Sequence, residues 1–94
     1  MRVIGIGVLD KANRKHGDLK GPLGTWLQVA KQHVWRSLND IRKTWAKTDE
    51  HAGKFIFNIK GNTYRLIATI NFASGLVEVL HVLTHAEYDK EGWK

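Results

Sequence analysis

The chain has no cysteine, a single proline and no long apolar run. Without cysteine it can form neither a disulfide nor a thiolate metal site, and a reducing cytoplasm is the expected location. No apolar stretch approaches the roughly 18 residues of a membrane span, and the first residues lack a secretory signal pattern. No repeat, low-complexity tract or long linker divides its 94 residues. We therefore expect one domain, residues 1–94, with no membrane partner.

Positive charge is in excess. The chain has 15 Lys and Arg residues against 9 Asp and Glu residues, which gives a net charge of +6. This balance suits a polyanionic partner or an acidic protein, although simple solubility explains it equally well. Four tryptophans are present, and in so small a domain the core is favoured for them over a stacking platform or a partner surface.

Three consecutive strands are predicted within residues 54–83. Residues 54–59 and 64–72 alternate in the period-2 pattern of a strand with one better-buried face, and residues 76–83 are rich in β-branched side chains. Lys-Gly-Asn at 60–62 and Ala-Ser-Gly at 73–75 supply the turns, because Gly and Asn tolerate positive φ. Such short links favour antiparallel neighbours, so the pattern predicts a three-stranded meander.

The part before the meander is predicted to be mainly helical. Residues 1–6 indicate an edge strand of the same sheet, and residues 8–15 and 38–45 indicate helices. Another helix is expected to start around Pro22, and residues 48–53 are expected to be a polar loop. The prediction is an α+β fold with N-terminal helices packed on a small antiparallel sheet. The apolar stripe of the helix after Pro22 comprises Leu23, Trp26, Leu27, Ala30 and Val34.

The third predicted strand ends in a capping box, in which Thr84 is followed three residues later by Glu87. A short C-terminal helical turn is therefore expected. Three of its side chains are spaced i, i+3 and i+4, which places them on one face: His85, Tyr88 and Asp89.

Arg65 is predicted to project from the middle strand toward the edge where this turn begins. Its fork of donors suits a phosphate, although the pattern alone slightly favours a solvated strand arginine. His85 exchanges a proton near neutral pH and, beside Tyr88, would suit acid–base chemistry on a phosphodiester. The simpler alternatives are a hydrogen-bonded surface His85, a core-edge Tyr88, and an Asp89 that only favours the helix N-terminus.

Further polar residues lie near the same region. Lys54 and Lys60 would extend a phosphate track, and Asn62 is more typical of a turn than of a base contact. His81 and His85 have helical metal-ligand spacing, but His81 falls in a predicted strand, so no metal site is predicted. The sequence also lacks a Gly-rich phosphate loop, a nucleophile elbow and a dinucleotide fingerprint, so no cofactor is predicted.

Two segments in the right order, F-N-I-K-G-N-T-Y-R-L (57–66) and V-L-T-H-A-E-Y-D-K (82–90), resemble the HigB toxins of type II toxin–antitoxin systems. M-R-V-I (1–4) and W-R-S-L-N-D-I-R (35–42) extend the resemblance over most of the chain. It implies a RelE-like fold and a ribosome-dependent mRNA endonuclease that inhibits translation. The implied partners are mRNA on the ribosome and a HigA-type helix-turn-helix antitoxin, through which DNA is contacted only indirectly.

Carried onto this sequence, the resemblance makes Arg65, His85 and Tyr88 the catalytic residues of a metal-independent cleavage by the ribose 2′-hydroxyl. Arg65 would stabilise the phosphate, while His85 and Tyr88 would share proton transfer, with either as the acid or the base. Lys54, Lys60, Asn62, His81 and Asp89 would support RNA binding. Many relatives carry Arg or Lys where this chain has Leu80, so a catalytically inactive RNA-binding or antitoxin-binding module of the same fold is the alternative.

Overall fold

The structure of the chain, a computed structural model, describes residues 1–90 and 92–94. In chain order the elements are β1 (Arg2–Ile4), α1 (Ile6–Lys15), a 3₁₀ helix (Gly17–Leu19), α2 (Lys20–Gln32), α3 (Leu38–Thr44), β2 (Thr48–His51), β3 (Lys54–Ile59), β4 (Tyr64–Asn71), β5 (Leu76–Thr84) and α4 (His85–Asp89). The strands form one sheet in the order β1-β5-β4-β3-β2. β1 runs parallel to β5, and the other pairs are antiparallel. The predicted α+β class and the meander of β3, β4 and β5 are confirmed.

The main core lies between the helices and one face of the sheet. Trp26 of α2 and Trp35 both contact Phe57 of β3, with ring centroids 5.3 and 5.8 Å apart. The predicted burial of tryptophan is confirmed for Trp26, Trp35 and Trp93, whereas Trp45 is half-buried. Large aromatic rings therefore fill much of a core that this short chain must complete.

Two expectations about the N-terminal half are wrong. Val34 was placed on the apolar stripe of α2, but α2 ends at Gln32 and Val34 is 71% exposed. Residues 48–53 contain β2, which pairs with β3 across a two-residue turn of Ala52 and Gly53, both with positive φ. The polar sequence of β2 shows little apolar alternation because it is an edge strand, and its pairing comes from the backbone hydrogen bonds of β3.

Gly5 brings the start of α1 close to β5. Its φ is 84°, and a Cβ atom at this position would collide with the carbonyl oxygen of Val79. At the same place β5 has a bulge, because Val79 pairs with Ala68 while His81 pairs with Ile67, which leaves Leu80 as the extra residue. The chain therefore passes from β1 into a helix that packs beside the second half of β5.

The other face of the sheet has a small apolar cluster of its own. Ile56, Ile67 and Trp93 are buried there, and Leu83 and Tyr88 pack against them. The cross-strand row Asn58–Arg65–Leu83 lies next to the row Ile56–Ile67–His81. The C-terminal residues thus cover the face on which Arg65 lies.

Candidate active site

The start of α4 is fixed by local and cross-strand hydrogen bonds. The predicted capping box is confirmed: Thr84 N–H donates to Glu87 Oε1 (2.9 Å), and Glu87 N–H donates to Thr84 Oγ1 (3.2 Å). The bond from the Thr84 N–H holds the pKa of the Glu87 carboxyl below its usual value, against the opposing effect of partial burial. In addition, His85 N–H donates to the carbonyl of Thr63 (3.1 Å), which attaches α4 to the β3–β4 turn.

Arg65 is buried, with 8% of its surface exposed, so the solvated strand arginine is ruled out. Its Nη1 donates to the carbonyls of Asn62 (3.0 Å) and Tyr64 (3.3 Å). Its Nη2 lies 3.3 Å from Nδ1 of His85, and its Cζ lies 5.3 Å from the ring centroid of Tyr88. The guanidinium therefore contacts both His85 and Tyr88 of the helical turn.

The contacts of His85 define its tautomer. A guanidinium has only donors, so the imidazole accepts from Arg65 at Nδ1. The ring proton then lies on Nε2, which is 3.3 Å from Asp89 Oδ2. Because the His85 side chain is 57% exposed, solvent or a substrate can approach it while both nitrogens keep these partners. The structure thus brings together Arg65, His85, Tyr88 and Asp89.

Other partners hold the two lysines that were expected to extend a phosphate track, Lys54 and Lys60, and the turn residue Asn62. Lys54 Nζ donates to the carbonyl of Trp93 (2.7 Å). Lys60 Nζ lies 2.7 Å from Asp18 Oδ2; this hydrogen bond lowers the pKa of Asp18 and raises the pKa of Lys60. Asn62 contributes its carbonyl to Arg65.

In the turn itself, the positive φ angles belong to Lys60 and Gly61, whereas Asn62 does not adopt one. The predicted turn at residues 60–62 between β3 and β4 is therefore confirmed, with Gly61 rather than Asn62 at positive φ.

A groove of about 240 Å³ separates α1 from the second half of β5. Leu80 is one of the apolar residues that line the groove, and the groove extends to Leu83, the cross-strand neighbour of Arg65. None of the described residues that line it is acidic. Its cationic and titratable lining residues are Lys11, Lys15, His16 and His81.

Lys11, Lys15 and His16 were not linked to a groove from the sequence; Lys11 and Lys15 were expected to face water, and both are exposed. A signal was available, because Lys11 and Lys15 follow Val8 by three and seven residues and therefore share its helix face. His81 lies on β5 and lines the groove, two residues before Leu83.

Within residues 1–90 and 92–94, no group of three or more His, Cys, Asp or Glu side chains is arranged to hold a metal ion. His81 belongs to β5 and His85 to α4, so the pair does not share a helix face. In the same part of the chain, no helix is both long and apolar enough to cross a membrane.

Comparison with known proteins shows the family of this chain. A family model, HigB toxin, described as the RelE-like toxic component of a toxin–antitoxin system, matches residues 19–91. The chain belongs to the HigB toxin family. It is also 27% identical over 93 residues to the mRNA interferase HigB of Escherichia coli O6:H1 strain CFT073, which covers 96% of this chain and 90% of that protein. This HigB-family chain is thus the toxin component of a toxin–antitoxin system.

Proposed function

We propose that this HigB-family toxin is a ribosome-dependent mRNA endonuclease that inhibits translation. The observation that carries the proposal is the convergence of the buried Arg65 with His85 and Tyr88 at one end of the sheet. The E. coli relative named an mRNA interferase supports the same reaction class.

The proposed reaction is cleavage by the ribose 2′-hydroxyl. The 2′-oxygen bonds to phosphorus as the bond from phosphorus to the 5′-oxygen breaks, which leaves a 2′,3′-cyclic phosphate and a 5′-hydroxyl. A base takes the 2′-proton, an acid gives a proton to the 5′-oxygen, and a cation stabilises the charge on the phosphate. Arg65 supplies the cation, while His85 and Tyr88 carry out proton transfer and position the substrate.

Arg65 has the donors for this role. Among the described residues, its contacts use three of the five N–H donors of the guanidinium, which leaves two for phosphate oxygens. A phosphate that draws Nη2 away from His85 frees the Nδ1 lone pair, so that substrate binding and the readiness of His85 to accept a proton are linked. Asp89 holds the opposite nitrogen during this exchange.

The cationic groove supplies a path for the RNA strand. Lys11 and Lys15 of α1 line it beside Leu80, the position at which the resemblance to HigB toxins implies a cation; Lys15 Nζ also lies 3.7 Å from Glu87 Oε2. We infer that α1 replaces that charge, which favours an active nuclease over the inactive binding module. The charge of the groove also suits an acidic segment of a HigA-type antitoxin, which would then block the RNA path.

Induced expression followed by transcript mapping tests the proposal. The wild-type chain is expected to stop growth, to be rescued by its antitoxin, and to produce new 5′-hydroxyl ends on translated mRNA. Purified protein is expected to cut only with ribosomes present and to remain active in chelator. Growth arrest without RNA cleavage, or wild-type cleavage by both His85→Ala and Arg65→Ala, would contradict the proposed site.

A further inference from the structure

Trp93 lies on the active-site face of the sheet, beyond the residues that the family model matches, which end at 91. It is 5% exposed and packs with Ile56 and Ile67 in the small cluster that is separate from the main core. A side chain so buried this close to the chain terminus covers apolar surface that the helices on the other face do not reach.

Trp93 holds Tyr88 at two points. Their rings are stacked, with centroids 5.0 Å apart and planes inclined by 13°. The indole Nε1–H donates to the main-chain carbonyl of Tyr88 at 2.9 Å. Both the phenol ring and the backbone that carries it are therefore in contact with a single buried side chain.

Lys54 in turn holds Trp93. Its ammonium donates to the Trp93 carbonyl at 2.7 Å, and the ring of His51 meets the indole edge-on at 5.8 Å. Lys54 and His51 are cross-strand partners at the two-residue turn of β2 and β3. Trp93 is thus attached to the β2–β3 hairpin, about 13 Å along the strand from the cross-strand row that contains Arg65.

We propose that Trp93 is a positioning residue for Tyr88, and that Lys54 fixes Trp93 rather than contacting RNA; this inference rests on the nuclease function proposed above. The physical reason is the size of α4. Helix α4 has five residues and none of them is buried, and so short a helix is not stable by itself. The capping box and the bond from His85 to Thr63 fix the start of α4, and the contacts of Trp93 hold Tyr88, near its end, beside Arg65.

A double-mutant cycle on the cleavage rate tests the inference. Trp93→Ala is expected to lower kcat by up to about 100-fold, the effect of a displacement of about 1 Å in a catalytic group, with little change in KM. Trp93→Phe, which keeps a ring but loses the indole N–H, is expected to have an intermediate kcat. Lys54→Met is expected to have a kcat similar to that of Trp93→Phe, whereas Lys54→Arg is expected to keep the wild-type kcat. In a Tyr88→Ala background, Trp93→Ala is expected to have no further effect.

Matched controls separate positioning from loss of fold. Trp35→Phe removes an indole hydrogen bond to Thr44 Oγ1 (3.0 Å) on the helix side, and Lys31→Met removes an exposed lysine of α2. Both are expected to retain the wild-type rate at a temperature where all variants are folded. The inference is overturned if Trp93→Phe and Lys54→Met keep the wild-type rate, or if the effect of Trp93→Ala persists without Tyr88.

A measurement independent of cleavage distinguishes failure of this inference from failure of the nuclease function. In NMR spectra, the Trp93 indole N–H is expected to be protected from exchange, and the Tyr88 ring protons to be shifted by the stacked indole. Lys54→Met should reduce that protection, and Trp93→Phe should move the Tyr88 signals. If neither changes, the contacts do not position Tyr88, whether or not the protein cuts RNA; if both change in a protein that does not cleave, only the nuclease proposal fails.

Discussion

Nη2 of Arg65 lies 3.3 Å from Nδ1 of His85, although 20 residues separate them in the chain. Arg65 is the second residue of the central strand β4, and His85 is the first residue of α4. The Asn62 carbonyl accepts from the Arg65 guanidinium, and the Thr63 carbonyl accepts from the main-chain N–H of His85. The β3–β4 turn therefore sets the distance between a phosphate-binding group and a proton-transfer group.

Replacing either member of this pair is expected to abolish most cleavage. His85→Ala should lower kcat by about 10²–10⁴-fold, the usual contribution of a positioned acid or base. Arg65→Lys should also lose most activity, because an ammonium cannot maintain three directed contacts while binding phosphate. Rates of 5′-end formation on ribosome-bound mRNA measure both effects, with Arg36→Lys on the exposed surface as the control. A fully active Arg65→Lys would show that only charge is needed.

The capping box is expected to contribute to stability in a pH-dependent way. In the folded protein the pKa of the Glu87 carboxyl lies below its ordinary value of 4.5, so its stabilising contribution is present above pH 4.5 and is lost as the pH falls through the folded pKa. Glu87→Gln should therefore be less stable than the wild type at pH 7, and by a smaller margin at pH 3. Urea denaturation at the two pH values measures this difference.

The contribution of the Thr84 hydroxyl is not expected to depend on the ionisation of Glu87, because this hydroxyl accepts from the main-chain N–H of Glu87. Thr84→Ala should cost about 0.5–2 kcal/mol of local helix stability and should slow cleavage, because α4 carries His85 and Tyr88. Thr84→Ser keeps the acceptor and is the matched control. Equal stability of Thr84→Ala and Thr84→Ser would show that the hydrogen bond to the Glu87 N–H adds nothing.

The cationic groove predicts different effects from two lysines. Lys11→Gln should weaken binding to single-stranded RNA and reduce the slope of log affinity against log salt by about 0.7, one phosphate contact. Lys60→Gln should change that slope less, because Lys60 is already paired with Asp18. Fluorescence anisotropy without ribosomes, with both substitutions made in a His85→Ala background, measures the two slopes. A larger change in the slope for Lys60→Gln than for Lys11→Gln would place the RNA at the β3–β4 turn and not in the groove.

Two glycines near the start of α1 are expected to respond in opposite directions. Gly5→Ala should destabilise the protein by well over about 1 kcal/mol, because positive φ and the Val79 carbonyl both oppose a Cβ atom. Gly7 lies in α1 with no atom near its would-be Cβ, so Gly7→Ala should stabilise by up to about 1 kcal/mol. Thermal unfolding of the two variants measures the contrast, and a tolerated Gly5→Ala would contradict the close approach of α1 to β5.

Local signals in the sequence located most elements. Alternation along β3 and β4 and the capping box of Thr84 and Glu87 depend only on residues close together in the chain. The edge strand β2 was missed because its stability comes from β3, and Val34 was misplaced because a helical pattern continued past the residue at which α2 ends.

The sequence by itself determined which residue types stand at the site and that His85, Tyr88 and Asp89 share one turn, because helical spacing is a local property. Only the tertiary structure decided that Arg65 is buried beside them, that Lys60 is paired with Asp18, and that Lys54 holds Trp93. These contacts depend on cross-strand register and on which segment covers the open sheet face. Both join residues distant in sequence, so no local pattern specifies them.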